Sequence, residues 1–170
     1  MNSKVENAIS LFQEQKINEA ETIALEVLEI DPNNFDILHI LGIISFQKKN
    51  YKTSSEFFQR ANRINPENPE VNNNYGIVLR ELKMFDKALK IFDKAIKINP
   101  NYAEAYNNRG IILIELNKLD LALESWDKAI KINPNYAEAY NSRGIILKEL
   151  NKTNEALESC NKAIKINPNY

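Results

Sequence analysis

Residues 103–136 read AEAYNNRGIILIELNKLDLALESWDKAIKINPNY. Residues 137–170 read the same, with changes only at Ser142, Lys148, Thr153, Asn154, Glu155, Cys160 and Asn161. The closing Ile-Asn-Pro marks a period. Ile30-Asp31-Pro32, Ile64-Asn65-Pro66, Ile98-Asn99-Pro100, Ile132-Asn133-Pro134 and Ile166-Asn167-Pro168 stand 34 residues apart, and five blocks of 34 make the full 170. A fixed period of this size is the signature of a stacked array, in which each unit buries its apolar face only against a neighbour. The expected organisation is a single array of five units, 1–34, 35–68, 69–102, 103–136 and 137–170.

Within residues 103–136, Ala103 to Leu116 is predicted to be a helix, with Tyr106, Gly110, Leu113 and Leu116 on one face. Asn117-Lys118-Leu119 breaks the pattern, and Asp120 is the expected cap of a second helix. In that helix Ala122, Leu123, Trp126, Ala129 and Ile130 form an apolar stripe. Pro134 stops it, lacking an amide donor and disfavouring helix in the residue before it. Each unit is therefore a helix–turn–helix. Ser3-Lys4-Val5-Glu6 and Asn18-Glu19-Ala20-Glu21 have the form of capping boxes in the first unit.

Small residues recur where helices must meet closely. Position 8 of the units is Ala8, Gly42, Gly76, Gly110 and Gly144, which include every glycine of the chain. Glycine inside a helix costs roughly 0.5–1 kcal/mol relative to alanine, so its recurrence argues for close packing. Alanines at positions 20 and 27 supply the facing surface, and position 24 is large in Phe58, Phe92 and Trp126.

Small residues at 8, 20 and 27, aromatics near 4 and 24 and proline at 32 resemble the tetratricopeptide repeat (TPR) along the whole chain. The resemblance implies an all-α, right-handed α-solenoid, a superhelix whose first helices line a concave groove. Ser54, Val27, Lys4, Asn72, Arg109 and Arg143 depart from the usual residues and read as tolerated variants.

The formal net charge is −1, which gives no reason to expect nucleic acid or an anionic membrane as partner. The charge is uneven, with two basic against seven acidic side chains in residues 1–34. No stretch approaches the ~20 apolar residues of a membrane span. The opening Met1-Asn2-Ser3-Lys4-Val5-Glu6 has no signal-peptide pattern. One cysteine cannot form a disulfide within the chain. A cytoplasmic setting is expected. So is the absence of a catalytic site, metal or cofactor. His39 is the only histidine, Cys160 occupies a core position and reads as a small buried residue, and the glycines never cluster into a phosphate loop.

What remains is surface. Positions 2, 5, 6, 9, 12 and 13 share the helix side opposite the packed stripe. The candidate peptide-binding residues are Glu70, Asn73, Asn74, Ile77 and Arg80, then Glu104, Asn107, Asn108 and Ile111, then Glu138, Asn141, Ser142, Ile145 and Lys148. Asparagine both donates and accepts, so a ladder of them suits an extended backbone. The TPR pattern that clamps acidic chaperone tails is met only at Asn74 and Asn108, and the glutamates at position 2 carry the wrong charge. Asn74 and Asn108 are similar to the asparagine ladder in the TPR arms of O-linked N-acetylglucosamine transferases.

The expected function is a protein-interaction scaffold holding a protein or peptide. The substrate-recruiting arm of a larger glycosyltransferase-like enzyme is one alternative. A homo-oligomer joined through the C-terminal end is another. There the last helix carries Ala156, Leu157, Ala163 and Ile164, and part of that surface is expected to lie open, because so close a copy of residues 103–136 reads as mid-array sequence. The outer lysines Lys94, Lys128 and Lys162, with Lys97, Lys131 and Lys165, read as a solvated face.

Overall fold

A computed structural model describes residues 2–169; Met1 and Tyr170, quoted in the readings above, lie outside them. The described residues form ten helices and no strands. In residues 1–84, one compact unit, these are α1 (Asn2–Gln13), α2 (Ile17–Ile30), α3 (Phe35–Gln47), α4 (Tyr51–Ile64) and α5 (Pro69–Glu81). Residues 85–170, the other unit, hold α6 (Phe85–Ile98), α7 (Ala103–Glu115), α8 (Leu119–Ile132), α9 (Ala137–Glu149) and α10 (Thr153–Ile166).

One device joins the helices of each 34-residue block. Gln15, Lys49, Lys83, Asn117 and Asn151, all at position 15, have φ between 55° and 62°. Each follows a first helix, and the next amide reaches back five residues, as from Lys118 to the Leu113 carbonyl at 2.8 Å. This is the Schellman ending, built here without glycine. The expected caps are corrected. Asp120 lies in the first turn of α8, whose N-cap is Lys118 with no side-chain bond. Likewise Asn18 lies inside α2 after Lys16, and Ser3 lies inside α1. Side-chain caps occur instead at Asn34 and Asn68, whose Oδ1 atoms accept from the Ile37 and Val71 amides at 3.2 and 2.8 Å.

The predicted stripes are the core. Ala122, Leu123, Trp126 and Ala129 of α8 are buried, as are Gly110 and Leu113 of α7. A Cβ on Gly110 would lie 2.7 Å from the Trp126 ring, on Gly42 2.9 Å from the Phe58 ring, and on Gly144 2.6 Å from Cys160 Sγ. The glycines are thus seats for the side chain at position 24. Where position 8 is Ala8, position 24 is Ala24, and both are buried.

Two departures read as tolerated variants have specific partners. Ser54 is buried and donates to the Gly42 carbonyl at 2.7 Å. Asn72, fully buried, donates to the carbonyls of Pro66 and Asn68 and accepts from Asn62 Nδ2. The last helix divides, part of its apolar surface being open. Ala156 and Ala163 are buried against α9's side, and only Leu157 (60 % exposed) and Ile164 (46 %) lie open.

Candidate functional site

In the first unit α3 and α5 present positions 5 to 9 side by side, with Phe58 of α4 beneath. Ile43, Phe46, Phe58, Asn74 and Ile77 line a cleft of about 150 Å³. On one rim stands His39, its ring 6.3 Å from Phe35 and 5.9 Å from Phe58 between centroids. Its Nε2 is 3.2 Å from Asn74 Nδ2 and 3.9 Å from a Glu70 carboxylate oxygen. Burial pushes the imidazole below its ordinary pKa, opposed in part by the charges of Glu70 and Asp36. The neutral ring then accepts from the Asn74 amide. Arg80 is turned away from this cleft, its Nε and one terminal nitrogen donating to Glu81 at 3.2 and 2.9 Å.

In the second unit the candidates divide. Glu104, Glu138, Ile145 and Lys148 are exposed. Asn108, Ile111, Asn141 and Ser142 are half-buried. Asn107 is only 4 % exposed, and its Oδ1 accepts from Trp126 Nε1 at 3.1 Å. That placement corrects the spacing argument, which set Asn107 on the open side. An indole N–H buried against a glycine needs an acceptor, and Asn107 supplies it. In the first unit Asn73 is buried as well, 5 % exposed, so it too leaves the open surface.

The opposite side of the second unit has a repeated feature that spacing did not reveal. Arg109 Nε donates to Asp93 at 2.7 Å and its NH1 to Ser125 Oγ at 2.7 Å. One repeat later Arg143 does the same with Asp127 and Ser159, at 2.7 and 2.6 Å. Each arginine ties the second helix of one repeat to the helix pair of the next by charge-assisted bonds. Only the co-occurrence of Arg at 7, Ser at 23 and Asp at 25 in neighbouring units could have signalled it. These braces lie in clefts of about 430 and 620 Å³ lined by acidic and basic side chains together.

Among the described residues, no group of three or more His, Cys, Asp or Glu is placed to hold a metal, and no helix is long and apolar enough to cross a membrane. Tetratricopeptide repeat family models match residues 35–68, 69–102, 91–124 and 137–170, and a TPR repeat model matches 110–151. The chain belongs to the TPR family. Solved TPR structures share its fold. MamA superposes with a TM-score of 0.87 at 23% identity, over 95% of each chain. YrrB, described as a TPR protein with an unusual peptide-binding site, superposes with a TM-score of 0.83 at 26% identity, over 98% of this chain and 86% of its own. PilF of Pseudomonas aeruginosa gives 0.86 at 20% identity, over 96% and 75%. No curated protein sequence matches the chain.

Proposed function

We propose that this TPR protein is a five-repeat protein-interaction scaffold, not an enzyme, and that its first-helix face holds an extended peptide. The observation that carries the reading is the cleft between α3 and α5. It is an apolar hole the size of one leucine or methionine side chain, bordered by an amide and an imidazole. Pockets for single side chains with polar groups at the rim are how extended peptides are read. Asn74 and His39 offer the donor and acceptor that a peptide backbone needs, and Ile77 and Ile43 the apolar wall. YrrB, a TPR protein with a peptide-binding site, supports the same class of partner.

The proposed binding set is Glu70, Asn74 and Ile77 in the first unit and, in the second, Glu104, Asn108, Ile111, Glu138, Asn141, Ser142, Ile145 and Lys148. Asn73 and Asn107, both buried, support it from within, and Arg80 is held by Glu81. The three exposed glutamates at position 2 oppose an acidic tail, since a carboxylate would be desolvated against like charge. A basic or neutral peptide with one medium apolar side chain is the fitting ligand.

Selection from a displayed random-peptide library, followed by calorimetry, tests this. Selected peptides should share a leucine- or methionine-like position. Asn74→Ala and Ile77→Lys should each weaken them at least about tenfold, and Lys165→Glu should not. Peptides that ignore both substitutions, or that end in acidic tails, would overturn the assignment.

A further inference from the structure

We propose that His39 makes the cleft between α3 and α5 a pH-sensitive site, in which the neutral imidazole admits the peptide and the imidazolium expels it. The inference rests on the peptide-binding reading and names a regulation of that same site. The Nε2 lone pair that accepts from Asn74 Nδ2, at 3.2 Å, is the one that a proton takes. Once it is taken, two N–H donors face each other and the bond is lost. The imidazolium is drawn to the Glu70 oxygen 3.9 Å away, and a new bond to Asn74 requires that amide to reverse and turn its oxygen to the ring. Asn74 lines the cleft with Ile43, Phe46, Phe58 and Ile77, so protonation of His39 changes which amide atom the cleft presents.

The surroundings of the ring favour its neutral form. Phe35 and Phe58 flank it, and its side chain is 16% exposed. Burial holds the imidazole below its ordinary pKa, opposed in part by Glu70 of α5 and Asp36 of α3. Among the described residues those are the charged groups that act on it; α4 meets it with the Phe58 ring, and α1 and α2 contribute none. Glu70 is 63% exposed at its side chain, so water screens its charge. A peptide seated over the rim takes the remaining water from His39, and an imidazolium costs far more to desolvate than an imidazole. Peptide and proton therefore compete for the same state of the ring, each weakening the other by linkage.

The second unit shows what sets this position free. At the same place in its repeat α7 has Asn107, whose Oδ1 accepts from Trp126 Nε1 at 3.1 Å. In α4 Phe58 stands where that indole would be, and a phenyl ring has no N–H to satisfy. His39 is thereby released to offer its acceptor to Asn74 of α5. A carboxamide gains no proton near neutral pH, whereas an imidazole does so between about pH 5 and 8. The corresponding place in the second unit does not titrate, and His39→Asn installs the residue that the other repeats already carry there.

His39 is the only histidine, so its ring signals in NMR are unambiguous. Titration of the free chain should move the ring and the Asn74 side-chain amide together, with a midpoint below about 6.5. A leucine-containing peptide, selected at about pH 7.5 and weakened by Asn74→Ala, should lower that midpoint further. Its calorimetric affinity should be level above about pH 7 and fall below the free-chain midpoint by up to about tenfold per pH unit. His39→Asn should flatten this profile. Glu70→Gln should move the fall to lower pH, since the carboxylate favours the charged ring. Circular dichroism would confirm that each variant stays helical. A peptide that answers to Asn74→Ala yet keeps its pH profile in His39→Asn would overturn the pH dependence and leave the peptide reading standing. A ring midpoint unmoved by the peptide would do the same. If no selected peptide answers to Asn74→Ala, the peptide reading falls and this inference falls with it.

Discussion

Repeats 103–136 and 137–170 are the same sequence at 27 of their 34 positions, and in the structure they form the same helix pair, yet their interiors differ. In the first copy Trp126 fills the space over Gly110 and claims the Asn107 amide. In the second, Cys160 sits over Gly144, Asn141 is only half-buried, and Leu157 is open where Leu123 is covered. A repeat's backbone is thus set by its small residues and its turn. Its solidity is set by one large side chain and by whatever covers its second helix.

The sharpest break of this comparison is Trp126→Ala. It empties the largest buried side chain and leaves the buried Asn107 amide without its indole partner. The loss should be about 3–5 kcal/mol in urea unfolding. Cys160→Ala should lose about 1 kcal/mol or less. Comparable losses at the two sites would mean that Trp126 is not the anchor of its repeat.

The reverse exchange, Cys160→Trp, asks whether the second copy has kept the seat. Gly144 and Asn141 are both still present. The indole should lie over the glycine and donate to Asn141, raising stability by about 1–2 kcal/mol through added apolar burial. A blue-shifted emission in the Trp126→Phe background would report it, that background having no other indole. A water-exposed emission maximum would show that the seat has collapsed.

The braces come next in size. Arg143→Ala frees Asp127 and leaves buried Ser159 without the guanidinium; Arg109→Ala does the same to Asp93 and Ser125. Asp127 is 58% exposed at its side chain, so screening holds the coupling of Arg143 with Asp127 to about 0.5–1 kcal/mol. A double-mutant cycle with Asp127→Asn should measure it, and the Arg109–Asp93 cycle should agree, the geometry being the same. No coupling in either cycle would reduce the braces to surface decoration.

The all-helical fold, the stripes and the close packing at position 8 were legible because 34-residue periodicity and helical spacing act through local rules, although the side chain that meets Gly42, Gly110 and Gly144 is the one at position 24 and not the alanines expected there. The surface was less so. Helical spacing gives a side chain's direction but not what its neighbours demand of it. Asn107 lies at an outward position, yet the Trp126 N–H draws it inside. Arg109 and Arg143 look like lapses from leucine until Asp93 and Asp127, sixteen residues earlier, are set against them. Asn34 and Asn68 are caps that the consensus block could not reveal, because Tyr102 and Tyr136 stand there in the later repeats and cap nothing with their side chains. The cleft beside His39 draws on three helices and has no signature at any one of them.

The smallest effect is one in which the two copies should not differ. Asn117 and Asn151 hold φ at 55° and 59° in the turn between their helices. Both amides bond to the carbonyl three residues back, at 2.8 Å to Ile114 and 3.0 Å to Lys148. Glycine takes this left-handed conformation without the Cβ clash, but it also gains freedom in the unfolded chain, and asparagine already tolerates the conformation better than most residues. Asn117→Gly and Asn151→Gly should therefore each stabilise by only about 0.3–0.5 kcal/mol. Lys83→Gly, at the same φ with a residue that tolerates it less well, should gain more, about 1 kcal/mol. Equal gains at Asn117 and Asn151 in denaturant midpoint would place the turn's energy in the local backbone. A gain at Asn117 without one at Asn151 would show instead that the covering of α8 reaches back into its turn, and would make the two copies unequal in the feature that looks most alike.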